Sequence, residues 1–365
     1  MKKIITLAAI VLIGLCSCTN KNVQVQVNLD NAENKMVYLN QTINEQNKVV
    51  DSARIENGKA ILKTQLAHEP ERLFVLIDGI RGNIPFFAEN NITVTITGDA
   101  KNIREIIVSG SKAQDLLNDF DASYQVFDKQ IRELYSLFPE EETAETKALI
   151  DSLTAVHEEI SEQKEAFLTH FLKENSQNVV AHFLLLRNLH GYDLEQLDEL
   201  VSGFGNNLPS LYLTMLQEYV ETLKRVDIGQ PYIDFTMNDP EGNPITLASQ
   251  VGAKLLLVDF WASWCGPCRA ENPNVVAVYN DYKDKGFSVF GVSFDAEKEA
   301  WIGAIEKDQL TWNHVSDLQG WNNAAGKLYG IRSIPQSILL DENGIIIAKN
   351  LRGEDLRSKV AAVLD

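Results

Sequence analysis

The chain has 365 residues, enough for two or three domains, each with a core of its own. A hydrophobic fraction of 45% and a charged fraction of 23% exclude wholesale disorder and a collagen-like repeat. The net charge of −18 argues against a nucleic-acid partner, and four cysteines are too few for a disulfide scaffold.

Lys2 and Lys3 precede an uncharged run from Ile4 to Leu15, which is too short to span a bilayer but suits the apolar core of a secretory signal. It ends in Leu15-Cys16-Ser17-Cys18, which resembles the bacterial lipobox. The resemblance implies that residues 1–17 are cleaved and Cys18 is lipidated, leaving 18–22 as a polar tether; the alternative is a plain signal peptide. Cys16 would be discarded, because bulky Leu15 directly before it fits the motif poorly. The expected location is the bacterial cell envelope. Thr19-Asn20-Lys21-Asn22 carries no acidic run, which favours a lipid anchor facing the periplasm.

From 23 to 110 the hydrophobic period is two. Val23, Val25, Val27 and Leu29 alternate with polar residues, as do Ile92, Val94 and Ile96. Between them lie Met36–Leu39, Val49–Ile55, Ala60–Lys63, Arg72–Ile77 and Pro85–Ala88, with Asn57-Gly58 as a hairpin signal. Seven or eight short strands predict an all-β, sandwich-like domain. Val37-Tyr38-Leu39, Val50-Asp51-Ser52-Ala53, Asn57-Gly58 and Asn91-Ile92-Thr93-Val94 resemble a β-rich domain of unknown function found ahead of thioredoxin-like domains. The block contains no catalytic constellation.

From 111 to 226 the period becomes helical, beginning with Leu116, Leu117, Phe120, Tyr124 and Phe127, and Pro139 closes that helix. Residues 140–165 hold nine acids against two lysines, read as the solvated face of a helix whose inner side carries Leu149, Leu153, Val156 and Ile160. Val179–Leu189 predicts a buried helix and Leu208–Leu223 the last one. His157, His170, His182 and His190 lack metal-ligand spacing and read as surface or packing histidines; no metal site is expected.

From 227 to 365 strands and helices alternate. Leu255–Phe260 predicts a buried strand, followed by Trp261-Ala262-Ser263-Trp264-Cys265-Gly266-Pro267-Cys268-Arg269 and a helix. Phe287–Phe294 predicts a second strand and Ala296–Lys307 a helix; the run Ile334–Leu340 enters a third strand, Asp341–Gly344 is a turn into Ile345–Ala348, and a short helix over Leu356–Leu364 closes the chain. A cysteine at a helix N-terminus faces free N–H groups that favour its thiolate. Pro267 suits the first helical turn, and Gly266 permits close approach of a partner's backbone. Cys268, one turn on, can attack a mixed disulfide formed at Cys265. Zinc would need a second ligand pair, and a structural disulfide this short constrains little chain, so the pair reads as redox-active.

The run from Val258 to Arg269 resembles the thioredoxin active site. Pro231 with Phe235-Thr236, the Asp239–Gly242 turn, Arg269-Ala270-Glu271-Asn272-Pro273 and Gly291-Val292-Ser293 resemble the TlpA/ResA branch of membrane-tethered thiol–disulfide oxidoreductases. The resemblance implies a thioredoxin-like α/β fold, Cys265 as exposed nucleophile, Cys268 as buried resolving thiol and Asp259 as the proton-exchanging acid. It implies a cis bond at Ile334-Pro335, with Ile334 pairing to substrate and Trp264, Gly266 and Pro267 at the contact surface. Trp261 and Trp264 would flank the site, whereas Trp301, Trp312 and Trp321 read as core in preference to a partner groove. It implies reduction of protein disulfides, no cofactor beyond the Cys265–Cys268 pair, and recharging by a membrane or periplasmic thiol reductant. Two alternatives stand beside it. One is a peroxiredoxin-like peroxidase, against which Ala262 occupies the position of the peroxide-orienting threonine. The other is a binding lipoprotein in which the redox domain is accessory.

Overall fold

The computed structural model describes residues 22–43, 46–205 and 210–365. The signal segment, Cys16, Cys18, tether residues 18–21 and Leu208 lie outside the described residues. The fold divides into two compact units. The first ends at Gly191 and takes in Ser202–Thr214; the second comprises Tyr192–Val201 and Met215–Asp365.

The first unit opens with eight strands: β1 (Asn22–Asp30), β2 (Met36–Ile43), β3 (Gln46–Arg54), β4 (Lys59–Gln65), β5 (Glu71–Ile77), β6 (Ile84–Ala88), β7 (Thr93–Asp99) and β8 (Ile107–Ser109). They form two four-stranded sheets, in the orders β4-β1-β7-β8 and β3-β2-β5-β6. Alternation along β1 turns Val23, Val25, Val27 and Leu29 inward, and Val37, Leu39, Leu73 and Val75 of the other sheet share their core. The result is the β-sandwich that the period-two pattern predicts.

The hairpin expected at Asn57-Gly58 needs correction. Both residues take positive φ, 53° and 73°, and the turn closes through a single bridge between Glu56 and Lys59. The flanking strands then part, β3 pairing with β2 and β4 with β1. The inward row of β4, Ala60 and Leu62, continues the apolar face of the β1 sheet, so the turn joins the two sheets of the sandwich.

Helix α1 (Lys112–Tyr135) starts at Ser111, whose hydroxyl accepts the N–H of Gln114. The Gln114 side chain accepts the N–H of Phe87 at 3.0 Å, which ties the helix to β6. Helix α2 (Lys147–Glu174) packs on α1 through Phe167 and Phe171 against Phe120. Burial is therefore concentrated in the C-terminal half of α2, at Leu168 and Leu172. Of the inner residues expected near its start, Leu153 is buried but Leu149 and Val156 are 49% and 40% exposed. Helix α3 (Val179–Arg187) is buried along most of its length. His182 is buried in it, a packing histidine against Phe204 whose ring nitrogen meets the Ser176 carbonyl at 3.1 Å. Helices α4 (Leu194–Gly203) and α5 (Leu211–Arg225) follow.

In the second unit a hairpin of β9 (Thr236–Asn238) and β10 (Pro244–Thr246) precedes a five-stranded sheet. The chain then runs β11 (Leu255–Trp261), α6 (Gly266–Tyr282), β12 (Phe287–Ser293), α7 (Lys298–Asp308), β13 (Asn313–Val315), α8 (Ala324–Leu328), β14 (Gln336–Asp341), β15 (Ile346–Lys349) and α9 (Gly353–Leu364). The sheet order is β13-β12-β11-β14-β15. β12 runs parallel to β11 and to β13, while β14 is antiparallel to β11 and to β15. β11 is central, which explains its unbroken apolar run. Val275 and Val278 of α6 and Leu356 and Val360 of α9 close over the sheet. This is the thioredoxin-like fold that the C-terminal pattern predicts. No helix among the described residues is long and apolar enough to cross a membrane.

Candidate active site

Three strand ends converge where β11 finishes. Phe260 of β11 pairs with Gln336, so the chain entering β14 through Pro335 lies beside the chain leaving β11 toward Cys265. β12 ends beside Trp261 at Ser293. A parallel pair with one antiparallel neighbour thus collects the loops 262–265, 294–297 and 332–335 at one edge, where sheets of this kind hold their sites.

Cys265 is the N-cap of α6, in extended conformation, and Pro267 occupies the first turn. The Cys265 Sγ accepts the N–H of Cys268 at 3.2 Å, so an unpaired helix donor points at sulfur. Cys265 and Cys268 are joined in a disulfide with Cα atoms 5.3 Å apart. The resemblance implies an exposed Cys265, but in this disulfide it retains 5% of its surface and Cys268 1%. Cys265 keeps slightly more exposure than Cys268 but is packed into the core that also buries Trp261 and Ala262. Gly266 and Pro267 are exposed, and a methyl group at Gly266 would meet nothing within 4 Å.

The approach to Cys265 is braced from below. Asp295, 1% exposed, accepts the N–H of Ser263 at 2.9 Å, the Ser263 hydroxyl at 2.5 Å and the Ser293 hydroxyl at 2.8 Å. Arg269 donates to the Ser263 carbonyl at 3.1 Å while its fork engages the Asp308 carboxylate. Asn272 donates to the same carboxylate. These hydrogen bonds fix the loop before Cys265. Asp295 lies 30 residues beyond Cys265 in sequence, and only the parallel register of β11 and β12 brings it close, so motif reading alone misses it.

Asp259 lies on β11 between Gly291 and Ser337. Removal from water is the main cause that pushes its carboxyl up to about 7; the Glu271 charge adds to the rise and Arg352 opposes it. The residue keeps partial exposure, so protons can reach it. The Ile334–Pro335 bond is cis, and the Pro335 carbonyl accepts a hydrogen bond from Arg352. Ile334 and Pro335 are half-buried.

The five tryptophans divide. Trp261 and Trp301 are buried core residues, and Trp312 is nearly so. Trp321 corrects the core reading: it is 52% exposed, and its ring centroid lies 5.8 Å from that of Trp264, itself 53% exposed. The inner side of Trp321 rests on Phe294, which is why a large apolar residue stands at the surface there. Among the described residues no group of three His, Cys, Asp or Glu side chains could hold a metal ion.

A redox-capable cysteine pair at a helix N-terminus, just beyond the end of the central strand of this fold, defines a thioredoxin-like thiol–disulfide oxidoreductase. The AhpC/TSA family matches residues 228–349, and a domain of unknown function, DUF4369, matches residues 23–117. The thioredoxin-like protein YneN of Bacillus subtilis is 34% identical over 135 residues, covering 36% of this chain and 76% of that protein. The thiol-disulfide oxidoreductase ResA of Bacillus cereus is 28% identical over 151 residues, covering 41% of this chain and 84% of its own length. The thioredoxin domain of a thiol-disulfide oxidoreductase from Bacteroides vulgatus is 39% identical, with a TM-score of 0.36, covering 38% of this chain and 99% of that one. The chain belongs to the thioredoxin-like thiol–disulfide oxidoreductases.

Proposed function

We propose that the protein is a lipid-anchored enzyme of the bacterial cell envelope that reduces protein disulfides through Cys265 and Cys268. The observation that carries this is the placement of Cys265 Sγ at the α6 N-terminus, where it accepts a main-chain N–H. That environment stabilises a thiolate over a thiol.

In the reduced enzyme the Cys265 thiolate attacks one sulfur of a client disulfide, and the other client sulfur leaves as a thiolate. Cys268, deprotonated by the Asp259 carboxylate, attacks the Cys265 sulfur. The Cys265–Cys268 bond forms, the mixed disulfide breaks, and the client leaves with two thiols. Two electrons have passed from the dithiol to the client. A membrane or periplasmic dithiol returns them by the reverse exchange. An Asp259 pKa of about 7 suits this proton traffic, since the group can take or give a proton near neutrality. Ile334, beside the cis-proline, offers backbone to an extended client segment, and Trp264, Gly266 and Pro267 supply open contact surface around the sulfur. Gly-Pro between the cysteines, with an acid held near neutral pKa, favours reduction over strong oxidation. Cys18 supplies the anchor.

The test is reduction of insulin disulfides by the pre-reduced enzyme, paired with equilibration against glutathione. Activity lost in Cys265→Ser, a client trapped by Cys268→Ser, and a Cys265–Cys268 disulfide that opens only in strongly reducing buffer are the expected results. A dithiol that stays reduced until the buffer is strongly oxidising overturns the reductase direction. Incorporation of labelled fatty acid, abolished by Cys18→Ala, tests the anchor.

A further inference from the structure

Within the second unit lies a cavity of about 420 Å³. One wall is the part of α5 that carries Met215, Tyr219 and Thr222; the other is the stretch from Trp321 to Arg332. The two walls meet at Gly330, which has φ +67°. A Cβ there would stand 3.1 Å from Leu223 Cδ2 and 3.3 Å from Tyr219 Cε2, so α5 lies against this backbone because no side chain intervenes.

Two links join the cavity to the redox centre. Its Trp321 wall touches Trp264, the residue before Cys265. Its Arg332 wall lies two residues before Ile334, the residue that offers backbone to a client. A polypeptide seated over Cys265 and running along Ile334 therefore passes the cavity mouth.

The charge of the cavity runs against that of the chain. The protein carries −18 overall, yet Lys327 and Arg332 both line this site, and neither forms an ion pair with any described residue. Arg332 lies over the Tyr219 ring at 4.6 Å, which holds the guanidinium at the wall and leaves its N–H donors available. Glu218 is the one acid among the lining residues. Two unpaired cations on aromatic and aliphatic walls complement an anionic side chain with an apolar stem.

We propose that this cavity is a specificity subsite that binds an acidic side chain of the client polypeptide, a few residues from the client's disulfide. The inference rests on the reductase reading above and adds to it the class of client. α5 lies outside the five-stranded sheet and its crossover helices, so the cavity wall it supplies is an addition to the disulfide-exchange core.

The test uses the full-length enzyme, pre-reduced, and peptides with one internal disulfide that differ only in carrying Glu, Gln or Lys three residues before or after a cysteine. The expected result is a kcat/KM for the Glu peptide about three- to tenfold above that for the Lys peptide at one of the two positions, expressed in KM and fading with added salt. The preference should disappear in the double variant Lys327→Gln/Arg332→Gln and invert in Lys327→Glu/Arg332→Glu. Each ratio is internal to one protein, so a loss of active enzyme in a variant cancels. Equal rates for all peptides in the wild type, with reduction still abolished by Cys265→Ser, would overturn the subsite and leave the reductase standing. A preference that survives both double variants would also overturn it, as would a preference shown only by free anionic disulfides such as oxidised glutathione. Failure to reduce any peptide would overturn the reductase reading and the subsite with it.

Discussion

Glu271 accepts the N–H of Gly353 at 2.8 Å and so fastens the helix that carries the dithiol to the start of α9. The neighbouring Arg352 donates to the Pro335 carbonyl, which makes one connected path from α6 to the cis-proline loop. Glu271 also acts at a distance, because its charge helps to raise the Asp259 pKa. Replacing it with Gln keeps the acceptor oxygen and removes the charge. The Asp259 pKa is then expected to fall from about 7 yet stay above its ordinary 3.8, since burial is the larger cause. Carbon-13 NMR titration of the Asp259 carboxyl would read this directly. An unchanged or higher value would show that the two carboxylates do not sense each other.

Asp259→Asn separates the acid's chemical role from its cost to stability. Under the proposed mechanism Asp259 accepts the Cys268 proton, so its loss should slow reduction of insulin at pH 7 by at least ~10-fold. Stability should respond in the opposite sense. The folded carboxyl titrates near 7 and the unfolded one near 3.8, so the folded state holds the extra proton between these values. The wild type therefore loses stability as pH rises from about 4 through 7, and the Asn variant lacks that loss. About three units at 1.36 kcal/mol each set an upper bound of ~4 kcal/mol at pH 8, trimmed by the partial exposure of Asp259. All five tryptophans belong to the second unit, so thermal unfolding followed by tryptophan fluorescence reports on it selectively. Equal gains from Asn at pH 4 and pH 8 would contradict the assignment.

Asp295 shows how a buried carboxylate can serve position instead of proton transfer. Three hydrogen bonds, two of them to Ser263, hold the loop that delivers Cys265. Asp295→Ala strands those donors in a buried setting and should cost about 2–4 kcal/mol. The kcat for insulin reduction should fall because the loop loses its fixed geometry. Ser263→Ala removes only the hydroxyl partner, keeps the N–H contact, and should cost about 1 kcal/mol. If Asp295→Ala left kcat unchanged while lowering stability, the carboxylate would be a structural brace without influence on Cys265.

How legible each element is in the sequence follows from the range of the forces that form it. β1 and β11 can be read because their periods are local: alternation for a half-buried strand, an unbroken apolar run for a central one. The dithiol can be read because N-cap, Pro and second cysteine lie within four residues. α4 is not legible from periodicity: Asp193 and Gln196 bond reciprocally at 2.8 and 2.9 Å as a capping box, a signal of a different kind. The parting of β3 and β4 after a well-formed turn could not be read, because the choice of partner strand is made by the apolar face of β1. Trp321 could not be placed either, since whether an aromatic residue faces core or surface depends on neighbours such as Trp264 and Phe294, 57 and 27 residues away.

Gly291 tests the packing that holds the central strands in register. It lies on β12 opposite Asp259 of β11 and His314 of β13. A methyl group at its Cβ position would stand 2.1 Å from His314 Nδ1 and 2.6 Å from Cε1. The imidazole has little room to retreat, for it is 3% exposed and packed between Trp261 and Trp312. Gly291→Ala should therefore destabilise the second unit by about 1–3 kcal/mol through overpacking. His314→Ala removes the obstruction, so the double variant should be more stable than the sum of the two single effects predicts. Burial holds His314 neutral, with its pKa pushed down to about 3. Its stabilising contribution is full above the unfolded value of 6.5 and is lost as pH falls toward 3, the opposite limb to that of Asp259. The coupling between Gly291→Ala and His314→Ala should accordingly be measured at pH 7, by tryptophan fluorescence through thermal unfolding. Strict additivity there would mean that the sheet shifts to admit the methyl group and that His314 does not set the spacing of β12 and β13.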